Sequence, residues 1–169
     1  MFRFARDQEV VNVAGVKIGG QPGENPTALC GTIFYQGQRL VEDPVRGRFD
    51  EGAAEGLIER QTALSEETGN PAVLHIYART REAFGRYLDF VDGLWSGPLI
   101  LDSAEAGTRI AMAEAVSEIG LADRCIYNSI GIATTPQEEE ALAHGEVDSA
   151  ILLGYSPADS TVEGTIRVL

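Results

Sequence analysis

Apolar, strand-like segments begin near residues 72, 98, 124 and 149 of this chain, at intervals of 26, 26 and 25 residues. They read "AVLHIYA", "PLILDS", "RCIYNS" and "SAILLGY", and an earlier one, "ALCGTIFY", begins at Ala28. An interval of this size holds a strand, a helix and two short connections. Strict alternation of that kind predicts a parallel sheet with right-handed crossovers. The nearly unbroken apolar runs predict strands covered on both faces.

The intervening segments carry helical patterning. "EGAAEGLIERQTALSEETG" reads as a helix stopped at Gly69, and "AEAGTRIAMAEAVSEIG" as one stopped at Gly120 in a left-handed conformation. "TREAFGRYLDFVDGLW" places Phe84, Tyr87, Leu88, Val91, Leu94 and Trp95 on one packing face. In "TPQEEEALAHG", Thr135 is the cap, Pro136 the first helical residue and Glu138 the return partner of a capping box. Its three consecutive glutamates read as a solvated face near the positive end of the helix dipole. "QGQRLVEDPVRGRFD" reads as a loop, and no clear helix is predicted in "SPADSTVEGTIRVL".

Ahead of the repeats, Val10–Val13 and Val16–Ile18 flank Ala14-Gly15, the pattern of a hairpin with a tight turn. "GGQPGENP" then reads as a linker, because no Gly-Lys-Ser/Thr follows to cradle phosphate. The expected organisation is a hairpin and linker at 1–27 and five βα units at 28–169. Two architectures accommodate them: an open doubly wound sheet, or the first part of a barrel of about 250 residues. Equal spacing favours the barrel. The fold class is therefore read as α/β, a TIM (β/α)8 barrel represented by about its first five units and incomplete at the C-terminal side.

With 169 residues and 44% hydrophobic content, one core-bearing domain is expected. A formal charge of -13 opposes binding to phosphate backbones and anionic membranes, so no nucleic-acid partner is expected. Cys30 and Cys125 each sit in apolar runs and read as buried thiols of a reducing compartment. His75 and His144 fall outside any ligand motif, so no metal is expected. No stretch resembles a signal peptide or approaches ~20 apolar residues, the reading of a cytoplasmic protein without a membrane span.

Function in parallel α/β folds gathers at the C-terminal ends of the strands. Here these ends carry Thr32, His75 and Tyr77, Asp102 and Ser103, Asn128 and Ser129, and Tyr155. Asp102 and Asn128 lie one repeat apart, so they match in position on strands about 4.8 Å apart. Taken singly, Asp102 fits a helix cap and Asn128 a turn. Taken together, a carboxylate beside an amide suits a flat heterocycle that presents adjacent N–H groups and a carbonyl.

"QEVVNVAGVKIGGQPGENPTALCGTIFY", "VEDPVRGRFD" and "LILDSAEAGTRIAMAEAVSEIGLADRCIYNSI" resemble the family of the H subunit of tetrahydromethanopterin S-methyltransferase. They are also similar to its bacterial relatives that use methyltetrahydrofolate. "KIGGQPGENPT" and "GLADRCIYNSI" are the most specific parts of the likeness. The resemblance implies a (β/α)8 barrel and a methyltransferase that moves a methyl group between N5 of a tetrahydropterin (tetrahydromethanopterin or tetrahydrofolate) and the cobalt of a corrinoid. The methyl-tetrahydropterin is then substrate, and the corrinoid is carried by a partner protein. It further implies that Asp102 pairs with the amino group and adjacent N–H of the pterin and that Asn128 bonds the same ring, with Ser103 and Ser129 beside them. No catalytic residue is assigned, because no side chain offers itself as the proton donor to N5.

Three further βα units, with a second ring-binding aspartate and an asparagine, are implied by the resemblance but lie outside the 169 residues. The chain alone is accordingly expected to be poorly stable, homo-oligomeric or inactive. Attachment to a membrane complex is left open. Two alternatives stand beside this reading: a five-stranded flavodoxin-like binding domain, and a non-catalytic half-barrel partner of a corrinoid protein.

Overall fold

A computed structural model describes residues 2–169. The chain opens with a hairpin of β1 (Val10–Val13) and β2 (Val16–Gly19), joined through Ala14 and Gly15. Both turn residues have positive φ, 45° and 83°, as a tight two-residue hairpin requires. The "GGQPGENP" segment is a largely exposed, hydrogen-bonded turn: Gln21 bonds the backbone of Phe4 and Arg6, and Glu24 accepts from the Gln21 N–H at 2.7 Å.

The repeats begin with β3 (Leu29–Ile33). The insertion after it is not a plain loop. It forms β4 (Val41–Asp43) and β5 (Arg48–Phe49), because Phe49 packs edge-on against Phe34, Tyr87 and Phe90. From there the expected alternation holds: α1 (Glu51–Thr68), β6 (Ala72–Tyr77), α2 (Arg81–Asp92), β7 (Leu99–Asp102) and α3 (Ala106–Glu118). A single 3-10 turn leads into β8 (Cys125–Gly131), followed by α4 (Pro136–His144) and β9 (Ser149–Leu153). The last segment departs from expectation: α5 (Val162–Val168) forms, capped by Thr161 and anchored by an Arg167–Asp159 ion pair.

The five long strands pair in parallel in the order β3-β6-β7-β8-β9, which is chain order. A doubly wound sheet, flavodoxin-like ones included, must double back at a switch point. This sheet does not, which corrects the open doubly wound architecture and the flavodoxin-like reading built on it. Winding in one direction with one handedness delivers every helix to the same face. That face is the core: Ala54 and Ile58 of α1, Phe84, Tyr87, Leu88 and Val91 of α2, and Met112 and Val116 of α3 pack on Leu74, Ile76, Leu99, Leu101, Cys125 and Tyr127. Leu94 is the exception on the second helical stripe. It falls beyond the helix end and is exposed.

Residues two apart share a face, so Thr32, His75, Tyr77, Ile100, Asp102, Ile126 and Asn128 stand on the opposite, inner face. The β1–β2 hairpin covers its N-terminal end. Val11, Val13 and Ile18 line a recess of about 270 Å³ with Val73, Ile100 and Ile126. Among the described residues the sheet is open, and burial on both faces fails at its two edges, where Leu29 and Leu152 are exposed.

The two cysteines part company. Cys125 lies on the core face, wholly buried, and burial pushes its thiol up to about 12. Cys30, expected to be buried, is exposed on the edge strand. A thiol reagent under native conditions is therefore expected to modify Cys30 and spare Cys125 until the chain unfolds, counted by mass spectrometry. Two modifications at native rates would contradict this packing.

Candidate functional site

The C-terminal rim of the inner face is built by register. Tyr77 pairs with Asp102 and Asp102 with Asn128, so three side chains from three strands stand in one row. A register shift follows between Asn128 and Ile130, and the Asn128–Ser129 peptide is cis. Asp102 does not cap its own helix: Glu105 precedes α3, and no side chain caps it. Among the described residues, neither the Asp102 carboxylate nor the Asn128 amide has a hydrogen-bonded partner, and both are partly buried. A carboxylate that serves neither cap nor hydrogen-bonded network is free to receive donors from outside.

One row deeper, His75 stands between Thr32 and Asp102. Its Nδ1 is 2.9 Å from Thr32 Oγ1, and its Nε2 is 3.1 Å from Asp102 Oδ2. Tyr35 tilts against Tyr77 with ring centroids 4.9 Å apart, placing an aromatic wall at the rim. Gln38 holds that wall by donating to the Thr32 carbonyl at 2.9 Å and accepting from the Tyr35 N–H.

Behind the rim lies a buried polar brace. Glu138, expected in a solvated face with Glu139 and Glu140, has no exposed surface at all. Its Oε1 accepts from the Arg109 guanidinium at 2.9 and 2.5 Å and from the Tyr127 hydroxyl at 2.5 Å. Its Oε2 closes the predicted capping box, accepting from the Thr135 N–H at 3.0 Å. Arg109 in turn donates to the Ser103 carbonyl at 2.6 Å. The residues following Asp102 and preceding Asn128 are thus tied to one carboxylate. Burial pushes the Glu138 carboxyl up, but hydrogen bonds from Tyr127, Thr135 and Arg109 outweigh it and hold the group below its ordinary value. Burial and the neighbouring carboxylate push the Tyr127 hydroxyl up to about 12.

Of the residues singled out in the sequence, Asp102 and Asn128 are brought side by side. Ser129 follows at the rim and is partly buried. Ser103 is buried, and its hydroxyl accepts from the Glu105 N–H at 3.3 Å, a turn contact rather than an open one. Sequence reading missed His75 as a neighbour of Asp102, although His75 and Tyr77 share a face at strand spacing. It also missed the brace, whose members lie 11 and 29 residues apart.

Comparison with known proteins bears on this arrangement. The profile of the family described as tetrahydromethanopterin S-methyltransferase MtrH subunit matches residues 6–169. The chain belongs to the MtrH family. This MtrH-family chain is 52% identical over 169 residues to the H subunit of the putative methyltransferase mtx of Methanosarcina barkeri, covering 100% of itself and 54% of that protein. It is 48% identical over 169 residues to the H subunit of tetrahydromethanopterin S-methyltransferase of Methanocaldococcus jannaschii, covering 100% of itself and 53% of that protein. Against the same protein of Methanothermobacter marburgensis it is 48% identical over 168 residues, 99% of itself and 54% of the relative. The chain spans about half the length of the curated relatives it matches. Among the described residues no helix is long and apolar enough to cross a membrane.

Proposed function

We propose that this chain forms the pterin-binding part of a methyltransferase that moves a methyl group between N5 of a tetrahydropterin and the cobalt of a corrinoid protein. The observation that carries the reading is the row formed by Asp102 and Asn128 at the C-terminal rim, unengaged by the chain's own backbone. In this reading the five strands are an arc of a (β/α)8 barrel, which the chain-order sheet and one-sided helices support. The ring lies across the rim with its amino group and adjacent N–H on the Asp102 carboxylate. The Asn128 amide meets the same ring, with Ser129 beside it, while Ser103 supports the turn.

The corrinoid, held by a partner protein, supplies the cobalt that takes or gives the methyl group. This chain's share is to bind and orient the ring, so that the methyl-bearing nitrogen faces outward from the sheet. No side chain need act as nucleophile.

Equilibrium titration of the chain with methyl-tetrahydromethanopterin and with methyl-tetrahydrofolate tests this. Saturable binding of one of them, at one site per chain, is the expected result. A chain that captures a corrinoid protein but binds neither pterin would instead establish the assembly-partner reading.

A further inference from the structure

His75 Nε2 is a buried nitrogen with no aligned hydrogen-bond acceptor, although Asp102 Oδ2 lies only 3.1 Å away. A polar atom in that condition calls for a physical explanation. The other ring nitrogen is engaged at 2.9 Å by the Thr32 hydroxyl, which can donate or accept. A neutral imidazole carries one N–H. If it sat on Nδ1, the Nε2 lone pair would face a carboxylate, lone pair against anion. If it sits on Nε2, the Thr32 hydroxyl donates to Nδ1 and the N–H faces Asp102, which a small turn of the soft carboxyl torsion aligns.

We propose that Thr32 and His75 form a positioning relay for Asp102: Thr32 donates to Nδ1, and His75 Nε2–H holds Oδ2. The three side chains come from three adjacent strands on the inner face, and the histidine and aspartate side chains are 16% and 22% exposed. With Oδ2 held, the carboxylate plane is fixed and the remaining lone pairs point to the rim. A carboxylate restricted in this way meets two parallel donors on a flat ring without first being ordered by it. This inference rests on the ring-binding reading of Asp102; His75 is a positioning residue and touches no substrate.

Two measurements test it. The first needs no ligand: long-range nitrogen–proton NMR correlation of the imidazoles, with His144→Gln to assign the remaining ring. A protonated Nε2 and bare Nδ1 on His75 are expected, with Thr32→Val blurring that preference. A neutral ring protonated on Nδ1 would overturn the relay. The second is titration of methyl-tetrahydropterin into His75→Leu, His75→Gln and Asp102→Ala, each checked for native folding by circular dichroism. His75→Leu is expected to weaken binding about tenfold. His75→Gln, whose amide N–H reaches a similar point, is expected to recover it to within about threefold. If Asp102→Ala weakens binding while His75→Leu does not, the relay fails and the ring-binding reading survives. If Asp102→Ala binds as the wild type does, the ring-binding reading fails and the relay loses its role.

Discussion

Replacing Glu138 with alanine is expected to remove about 3–5 kcal/mol of stability, measured as a loss in the free energy of urea unfolding. The size follows from what is left behind. Arg109 keeps a guanidinium that is largely buried, now without its anion, and the Tyr127 hydroxyl and Thr135 N–H lose their acceptor as well. Leaving such groups unsatisfied costs more than the pair contributes when intact. Glu138→Gln keeps the volume and part of the hydrogen bonding, so it should fall between the two. A loss below about 1 kcal/mol in Glu138→Ala would contradict the brace as described.

The same carboxylate makes a statement about pH. Its folded-state value is held below the ordinary glutamate value, so the unfolded chain takes up a proton first as pH falls. The contribution is fully present above the ordinary glutamate range and is lost as pH drops through the lowered value. Glu138→Gln should flatten that part of the stability profile.

Asp102→Ala separates binding from folding in the opposite sense. The Asp102 carboxylate caps no helix, and its close contact is the His75 ring. Only the His75 N–H loses its acceptor, so stability should fall by about 0.5–1.5 kcal/mol, the worth of one hydrogen bond and well below the Glu138→Ala loss. Affinity for the methyl-tetrahydropterin should fall by about 2 kcal/mol or more, roughly thirtyfold, because charge-assisted hydrogen bonds to the ring are lost. Calorimetric titration reads this directly, and unchanged affinity would remove Asp102 from the site. The contrast between Glu138 and Asp102 is itself informative. One buried carboxylate serves the fold, and one carboxylate at the open rim serves the ligand.

Strand spacing made the βα units legible, since each strand begins within a residue or so of its expected start at Ala72, Leu99, Cys125 and Ser149. Spacing alone could not choose between a sheet that doubles back and one that winds onward. That choice depends on which strands pair, a long-range matter settled by β3 lying beside β6 and β9 beside β8. The Thr135–Glu138 capping box was readable because its partners are three residues apart. The burial of Glu138 was not, because Arg109 and Tyr127 reach it from other elements. The β4–β5 hairpin escaped notice because its strands are short and its anchor, Phe49, packs against aromatic residues distant in sequence. Asp102 and Asn128 emerged as a pair because equal repeat length carries register with it. His75, though named among the strand-end residues, was not connected to Asp102, because it pairs in register with Ile100, one row deeper.

The central claim is that the Asp102 carboxylate meets the amino edge of the ring. A double cycle reads that contact most directly: wild type and Asp102→Ala, each titrated with the methyl-tetrahydropterin and with its analogue lacking the ring's 2-amino group. Removing the amino group is expected to weaken binding to the wild type and to have little further effect in Asp102→Ala. Losses that simply add would contradict it.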